Sequence, residues 1–408
     1  MKALFISTHY PQDFRKSTSG AFKRMRTFLD AIKQRASVRI LFYHGYGLEV
    51  DEKHIAETKA AMQSEWELDD LELVTCRQQL DPSHGDKLWQ GYLVRALSMH
   101  RQLDYVRTSG AAQLRAFEDC LADRPDFVFA HRLNTMCPAL LTRRELPPIF
   151  LDLDDVEHKA FIRGISQPPN FGAKRLFYLQ LPAFLWGERR AIRLARKTFV
   201  CSELDAQYLS GTWRLPNVRA IPNSIRVPEP RPMATEPVFL LLGLYAYAPN
   251  AVAADYLITR IWPLIRSARP DARLIIAGGR PELIPCFGQP HAGVEYAGFV
   301  DDLDVLYSKA RIVCCPILSG GGTRIKIIEA AAYGKAVVST RVGAEGLDFE
   351  DGSEIMLRDD PQRFAEACAE LLRDDALCAR IGAAARAKAV QRYDRQSVIK
   401  QIQQEIFG

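Results

Sequence analysis

A glycine-rich stretch holds the residues of this sequence that are best suited to binding an anion. The apolar run RIVCCPIL predicts a buried strand, and SGGGT, residues 319 to 323, separates it from a helical pattern that ends at Gly334. A loop that opens a helix presents free backbone N–H groups, and the helix dipole adds positive potential. Lys326 and Glu329 follow at helical spacing on the side of this loop. This pattern suits a diphosphate followed by a hydroxyl-bearing sugar.

The same stretch has a second interpretation. Glycine loops open many strand-to-helix junctions for tight packing alone, so a phosphate-binding pattern is weak by itself. The spacing matches neither a Walker loop, because Gly-Lys-Ser and Gly-Lys-Thr do not occur there, nor the dinucleotide-binding Gly-x-Gly-x-x-Gly pattern. A nucleotide-linked ligand is therefore the first hypothesis, and a purely structural loop is the alternative.

Composition and charge restrict the class of protein. The chain has 408 residues, 48% of them hydrophobic and 25% charged, which is typical of a soluble globular protein of about two domains. No apolar run reaches the length of about 18 residues that a membrane span needs, and MKALFIST predicts a first strand and not a secretion signal. The nine cysteines show no Cys-x-x-Cys spacing, which favours buried thiols in a reducing, cytoplasmic compartment.

Positive charge is concentrated between Gly172 and Lys197, where seven basic residues accompany one acid, Glu188. The basic residues are Lys174, Arg175, Arg189, Arg190, Arg193, Arg196 and Lys197. Aromatic residues such as Trp186 are interleaved with them. This pattern predicts contact of Arg189, Arg190, Arg193 and Arg196 with an anionic membrane or with an acceptor, and so a peripheral location on the inner face of the membrane. A solvated helix face with inward aromatics is the alternative.

Alternating strands and helices predict two α/β halves. Expected strands of the first half are 2–8, 38–44, 71–76, 125–131, 149–154 and 197–202, and those of the second half are 238–244, 272–279, 294–299, 311–318 and 336–340. Helices are expected at 22–34 and 251–268. Six prolines between Pro216 and Pro237 indicate a linker. The predicted domains are therefore 1–215 on the acceptor side and 238–390 on the donor side. A C-terminal helix at 391–408 can cross back to the first domain.

The motifs from residue 238 onward resemble the C-terminal domain of glycosyltransferase family four, which has the GT-B fold. The match is nearly collinear over 238–358, includes FLLLGL, ARLIIAGG and VEYAGF, and fits a subgroup with a GGGTR-type donor loop. The first half fits more loosely, at Gly20, Arg24 and IPNSI. The resemblance implies two Rossmann-like, doubly wound domains facing across a cleft. It also implies retaining transfer of a sugar from a nucleotide-diphosphate donor.

The resemblance assigns roles to individual residues. Glu329 matches the second glutamate of a Glu-x7-Glu motif, which holds the ribose hydroxyls, and His131 matches a histidine near the sugar. The donor-binding residues that it implies are Gly20, Gly243, Asn250, Gly298, Phe299, Gly320, Gly321, Gly322, Thr323 and Glu329. The catalytic residues are His131, Lys326 and Arg324. A hydrogen-bonded histidine of the core is the alternative for His131, and Asn250 could instead cap a helix.

Two departures from the family pattern affect the donor site. Gly321 stands where the first glutamate of the motif should be, so the identity of the sugar cannot be inferred. The arginine and lysine expected after the first strand of the second domain are missing from 243–250. Diphosphate charge would then be balanced by Arg324, Lys326 and the helix dipole, with no metal and no other cofactor.

Acidic residues form a further cluster, Asp152, Asp154, Asp155 and Glu157. They could bind a metal or act as a catalytic carboxylate pair. Exposed acids at a strand end, or an acceptor-binding lip, are the preferred interpretation.

Three functions compete. The leading one is a glycosyltransferase that uses a UDP- or GDP-sugar and a saccharide or lipid-linked acceptor, without nucleic acid. A second is a catalytically silent GT-B module that binds a partner or a membrane. A sugar-nucleotide epimerase is the third, and Gly321 argues against it because an epimerase needs carboxylates near the sugar.

Overall fold

The computed structural model describes residues 1–11, 20–45, 50–68, 71–77, 98–99, 105, 108–166 and 172–408. The chain forms two compact units. The first contains Met1–Ile221 and Ile399–Gly408, and the second contains Pro222–Val398. The division after Ile221 falls inside the proline-rich segment 216–237.

The first unit is built on a parallel sheet of seven strands in the order β3-β2-β1-β4-β5-β6-β7. The strands are β1 (Lys2–Ser7), β2 (Ser37–His44), β3 (Glu72–Arg77), β4 (Phe127–His131), β5 (Ile149–Asp154), β6 (Lys197–Val200) and β7 (Val218–Ala220). The helices are α1 (Gly20–Lys33), α2 (Glu52–Trp66), α3 (Ala111–Ala122), α4 (Cys137–Leu141), α5 (Glu157–Ser166), α6 (Leu181–Leu194) and α7 (Glu203–Gln207). Leu133–Met136 and Gly172–Gln180 form 3-10 helices, and Tyr208–Thr212 forms a π-helix.

The second unit has a six-stranded parallel sheet in the order β10-β9-β8-β11-β12-β13. Its strands are β8 (Val238–Leu242), β9 (Arg273–Ala277), β10 (Val294–Gly298), β11 (Ile312–Cys315), β12 (Ala336–Ser339) and β13 (Met356–Leu357). Its helices are α8 (Ala248–Tyr256), α9 (Trp262–Ala268), α10 (Leu303–Lys309), α11 (Ile325–Ala332), α12 (Pro361–Arg373) and α13 (Asp375–Tyr393). Leu257–Ile261 is a π-helix and Pro281–Leu283 a 3-10 helix. Helix α14 (Arg395–Phe407) follows, and its residues from Ile399 belong to the first unit.

Helices cover the faces of both sheets, which explains why the strands are apolar without alternation. In the first unit, the ring of Phe129 lies between those of Phe5 and Phe28, at centroid distances of 5.1 and 4.8 Å. In the second, β11 and β12 are completely buried. The two sheets confirm the predicted fold class.

Each sheet reverses its strand order next to its first strand. Strand β1 lies between β2 and β4, and β8 lies between β9 and β11. Loops that leave the carboxyl ends of strands at such a point form the usual ligand crevice of an open α/β sheet. The carboxyl ends of β1 and β4, and those of β8 and β11, therefore mark the positions at which each unit can bind a ligand.

The eleven predicted strands are all present, but other elements differ from prediction. Strands β7 and β13 have three and two residues, too few to show an apolar pattern. The helix expected at 251–268 is interrupted by the π-helix Leu257–Ile261 before Pro263. Proline has no N–H to donate to the preceding turn, and a wider turn accommodates this loss. No helix in the described ranges is both long and apolar enough to cross a membrane.

Candidate functional site

The glycine loop after β11 requires glycine for two separate reasons. Gly320 and Gly322 have backbone φ angles of +99° and +74°, in the left-handed region that other residues avoid. A Cβ on Gly320 would also lie only 2.7 Å from the hydroxyl oxygen of Tyr247. The loop backbone is therefore closely packed at Gly320, while the loop as a whole stays partly exposed to solvent.

Arg324 lies at the end of this loop, just before helix α11, and its side chain turns back onto the loop. The guanidinium is buried and donates to the carbonyl oxygens of Gly321, of Gly322 at 2.6 Å and of Ser319 at 3.2 Å. These acceptors are neutral, so they fix the shape of the loop without cancelling the positive charge. The structure thus places Arg324 as a clamp on the loop carbonyls, in addition to being a source of charge.

Lys326 is one residue into helix α11 and is joined to Asn250 of helix α8. Its Nζ donates to the Asn250 Oδ1 at 2.8 Å, while the Asn250 amide nitrogen donates to the carbonyl of Leu244 at 2.9 Å. Burial lowers the pKa of Lys326, the positive charge of Arg324 lowers it further, and Cys315 and Glu329 oppose this. The alternative that Asn250 caps a helix is wrong, because the residue that precedes the first turn of α8 is Tyr247.

Glu329 lies one turn after Lys326 on α11 and is buried. Close to its carboxylate is Tyr307, whose ring stacks on that of Tyr333 at a centroid distance of 4.2 Å. Burial raises the pKa of Tyr307 well above its usual value, and the charge of Glu329 adds to this effect. A carboxylate at this depth is held in a defined position.

Gly243, Gly298 and Phe299 lie together at the carboxyl ends of β8 and β10. Gly278, at the end of β9, donates its N–H to the carbonyl of Gly298 at 2.6 Å. A Cβ on Gly278 would lie 1.7 Å from the carbonyl oxygen of Gly243, so the three backbones are in close contact. Phe299 follows with 42% of its surface exposed. An exposed aromatic ring beside uncovered backbone can contact a planar base.

Asn223 is a residue of this site that the sequence analysis did not assign. Its buried amide donates to the Thr323 Oγ1 at 2.8 Å, across 100 residues of sequence. The bond ties the segment that enters the second unit to the glycine loop. The asparagine of IPNSI was the available signal, but its partner is too distant in sequence to be recognised.

In the first unit, His131 lies at the end of β4 with no exposed surface. Its Nδ1 is 2.9 Å from the hydroxyl oxygen of Ser7, which also accepts the backbone N–H of His9 at 3.0 Å. Burial lowers the pKa of His131 well below its usual value, and the charges of His9, Arg132 and Arg24 act in the same direction. The imidazole is thus neutral and enclosed, and a ligand could reach it only after the covering groups move.

The acids at the end of β5 are not exposed. Asp152 is fully buried and accepts from the Arg24 Nε and Nη2 at 2.9 and 2.7 Å, while Asp154 pairs with Arg132 at 2.7 Å. The expectation of an exposed strand end is therefore wrong. Burial raises the pKa of Asp152 to about 6, although the charge of Arg24 opposes this. The groups of Asp154, Asp155 and Cys201 lie within 4.8 Å of one another, a spacing that could hold a metal, but the two arginines already balance the charge of Asp154.

Two of these paired residues have an unusual backbone. Arg132 follows β4, Asp154 is the last residue of the neighbouring strand β5, and their φ angles are +78° and +63°. The register of β5 against β6 also shifts between Asp152 and Asp154. Residues other than glycine that have positive φ angles carry strain of about 1–3 kcal/mol each, and such residues cluster at functional sites.

The remaining predicted residues occupy other parts of the first unit. Gly20 is exposed and begins helix α1, one turn before the buried Arg24. Arg190, Arg193 and Arg196 are exposed at the end of α6 and just after it. Arg189 is partly buried, with its guanidinium 6.0 Å from the centre of the Trp213 ring.

The neutral state of His131 predicts sensitivity to acid. An unfolded histidine takes up a proton near pH 6.5, whereas the folded unit keeps His131 neutral below this pH, so its contribution to stability is lost as the pH falls. Between about pH 6.5 and 5 we expect the free energy of unfolding to fall by up to about 1.4 kcal/mol per pH unit more steeply in wild type than in His131→Gln.

The measurement is urea unfolding followed by tryptophan fluorescence over a pH series. Both proteins retain His9, whose pKa is lowered to about 4, and Asp152, whose raised pKa acts in the opposite direction, so the difference between the two slopes isolates His131. Parallel slopes would show that His131 takes up its proton equally in the folded and unfolded states.

Comparison with known sequences finds its matches mainly in the second unit. Residues 236–374 match the model of a family described as Glycosyl transferases group 1. A phosphatidyl-myo-inositol mannosyltransferase of Mycolicibacterium smegmatis is 31% identical over 170 residues, which are 40% of this chain and 43% of that protein. The matched part of the chain spans less than half the length of the curated relatives, from 35% to 43%.

Comparison with solved structures covers nearly the whole chain. Alr3699/HepE of Anabaena, determined with UDP and glucose, has a TM-score of 0.63 at 15% identity, over 99% of this chain and 98% of that one. Sucrose-phosphate synthase of Thermosynechococcus elongatus has a TM-score of 0.69 at 15% identity, over 99% and 97%. The chain thus has the GT-B fold of these structures, and residues 236–374 match the family described as Glycosyl transferases group 1.

Proposed function

We propose that this protein is a glycosyltransferase that moves a sugar from a nucleotide-diphosphate donor to a saccharide or lipid-linked acceptor in the cytoplasm. The reaction retains the anomeric configuration and needs no metal, and the donor loop belongs to the GGGTR type. The observation that carries this proposal is the glycine loop at the start of α11, beside which a buried arginine and a partly buried lysine both have neutral acceptors.

The comparisons support a nucleotide sugar as the donor. The second unit matches a glycosyl transferases group 1 domain, and Alr3699/HepE was determined with UDP and with UDP-glucose. The same findings favour transfer over a silent module or an epimerase. UDP- and GDP-sugars are accordingly the proposed donors.

The chemical task is to stabilise negative charge that develops on the departing diphosphate. Lys326 and the first-turn amides of α11 supply fixed positive potential, and Arg324 holds the loop in shape. Since these groups are already in position, little reorganisation is needed when the bond to the sugar breaks. Glu329 accepts hydrogen bonds from the ribose hydroxyls, and the ring of Phe299 covers the base.

Asn250→Asp tests whether the charge of Lys326 must remain unbalanced. A carboxylate in place of the amide would pair with the ammonium and repel a phosphate, so we expect affinity for a nucleoside diphosphate to fall by roughly 5- to 30-fold, about 1–2 kcal/mol. Affinity for the corresponding nucleoside, which has no phosphate, should not change. Asn250→Ala is the control that removes the acceptor without adding charge.

Calorimetric titration of both ligands against the three proteins makes the comparison. If Asn250→Asp binds the diphosphate as tightly as wild type, the ammonium of Lys326 does not contact the phosphates.

Glu329→Ala tests the ribose site. A panel of UDP, GDP, ADP and CMP in a thermal-shift assay first identifies the nucleotide that raises the melting temperature, because a ligand of the folded state stabilises it. Loss of a charge-assisted hydrogen bond worth about 1.5–3 kcal/mol should then lower the affinity of the protein for that nucleotide roughly 10- to 100-fold. Glu345→Ala, at an acid of the same unit outside the loop and α11, is the comparison variant. Unchanged affinity in folded Glu329→Ala would remove Glu329 from the site.

Metal independence is tested with EDTA. Lys326, Arg324 and the helix-end amides provide the positive potential that a divalent ion supplies in other enzymes. We therefore expect turnover with the donor and acceptor to be the same, within about twofold, before and after chelation. A loss of activity that magnesium or manganese restores would contradict this part of the proposal. Absence of both donor hydrolysis and transfer by the purified protein would instead favour the silent module.

A further inference from the structure

A face of the first unit combines exposed apolar side chains with arginines. It consists of Leu176 and Leu179 on the 3-10 helix, Trp186 and Arg190 on α6, and Arg193 and Arg196 at its end; we call it the apolar–basic face. Trp186 is 65% exposed, Leu179 51% and Leu176 45%. Single exposed apolar residues are ordinary on a protein surface, but a neighbouring group of this size indicates a surface that becomes covered.

The spacing places three of these side chains along one side of α6. Trp186, Arg190 and Arg193 follow one another at intervals of four and three residues, and Leu176 and Leu179 lie on the 3-10 helix that leads into α6 and contacts it. The opposite side of α6, with Phe184, is buried in the core of the unit. The exposed side is therefore apolar where α6 begins and cationic where it ends.

The arginines of this face have no balancing charge. Within the described part of the chain, no carboxylate pairs with Arg190, Arg193 or Arg196. Glu188, the one acid of the segment, is turned inward, where it contacts the imidazole of buried His158. The face therefore presents a net positive charge beside its apolar side chains.

We propose that the apolar–basic face docks the protein on an anionic lipid bilayer. Trp186, Leu179 and Leu176 enter the boundary between headgroups and acyl chains, and the arginines bind lipid phosphates. A lipid surface fits better than a protein partner, because arginines at a bilayer interface remain partly hydrated, whereas a protein interface would have to desolvate three of them. This inference goes beyond the proposed function, and vesicle binding can be measured without donor or acceptor.

The test is co-sedimentation of the full-length chain with vesicles of phosphatidylcholine and phosphatidylglycerol in equal parts, at low salt. Wild type should pellet with these vesicles and remain in solution with pure phosphatidylcholine. Each arginine near the surface contributes about 1 kcal/mol of attraction, which is about fivefold in the partition coefficient. Changing Arg190, Arg193 and Arg196 together to Ala should therefore lower the partition coefficient roughly 100-fold. Added salt should weaken the binding of wild type.

A charge-matched control separates this face from the overall charge. In this control, three charges are removed from other surfaces by changing the exposed residues Arg115, Arg260 and Arg363 together to Ala. This control should keep nearly wild-type binding. Trp186→Ala should also weaken binding, whereas Val390→Ala, at a residue that is 45% exposed in the second unit, should not.

Three outcomes would overturn the proposal. They are failure of wild type to pellet with anionic vesicles, equal binding by the face variant and wild type, and equal losses in the face variant and the charge-matched control. Light scattering after size-exclusion chromatography tests the other possible occupant of the face, a second copy of the chain. A dimer that Trp186→Ala dissociates, together with no vesicle binding, would assign the face to a second copy of the chain.

Discussion

Burial of positive charge is the constraint on which the arrangement of both units depends. A guanidinium or ammonium removed from water must find acceptors, and the nature of those acceptors decides what the charge can do. In the first unit, Arg24 and Arg132 are paired with the carboxylates of Asp152 and Asp154, so their charges are balanced internally. In the second, Arg324 and Lys326 donate to backbone carbonyls and to a side-chain amide.

Because of this difference, the charges of the two units have different effects. In the first unit, the two arginines and two aspartates form ion pairs that join α1, the end of β4 and β5, and Arg24 also donates to the carbonyl of Ile221. These charges therefore act mainly to connect elements of the fold. At the glycine loop of the second unit, Arg324 and Lys326 donate to neutral groups, so these hydrogen bonds leave their charges unbalanced, and the carboxylate of Glu329 opposes the charge of Lys326 in part. A fixed field of this kind at the carboxyl edge of a sheet favours an anionic ligand.

Much of the fold could be predicted because it depends on local patterns. Buried parallel strands are continuous apolar runs, and the glycine loop is recognisable because no other residue fits its backbone. The contacts that shape the site depend instead on residues far apart in sequence. Asn250 and Lys326 are 76 residues apart, and Arg24 and Asp152 are 128 apart. No spacing rule connects such pairs, so the sequence cannot show that Asp152 is buried against Arg24 or that the side chain of Asn250 contacts Lys326.

Counting charges along the chain also gave an incomplete description of the basic segment. Of the seven basic residues, Lys197 pairs with Glu405, Lys174 is buried and Arg189 lies beside Trp213. Only the structure distinguishes these from the arginines that face outward. Exposure of Leu176 and Leu179, in contrast, has no signature in the sequence, because leucine in a helical segment normally predicts core.

The path of helix α14 has a practical consequence for dissecting the protein. Its last turns complete the first unit: Phe407 packs edge-on against Phe127 at 5.8 Å, and Gln403 donates to the carbonyl of Ala31 at 3.1 Å. A gene fragment that stops after codon 221 would therefore encode a first unit with an uncovered apolar surface. Independent expression of that unit calls for a circular permutant or a linker that restores residues 399–408 to the same polypeptide.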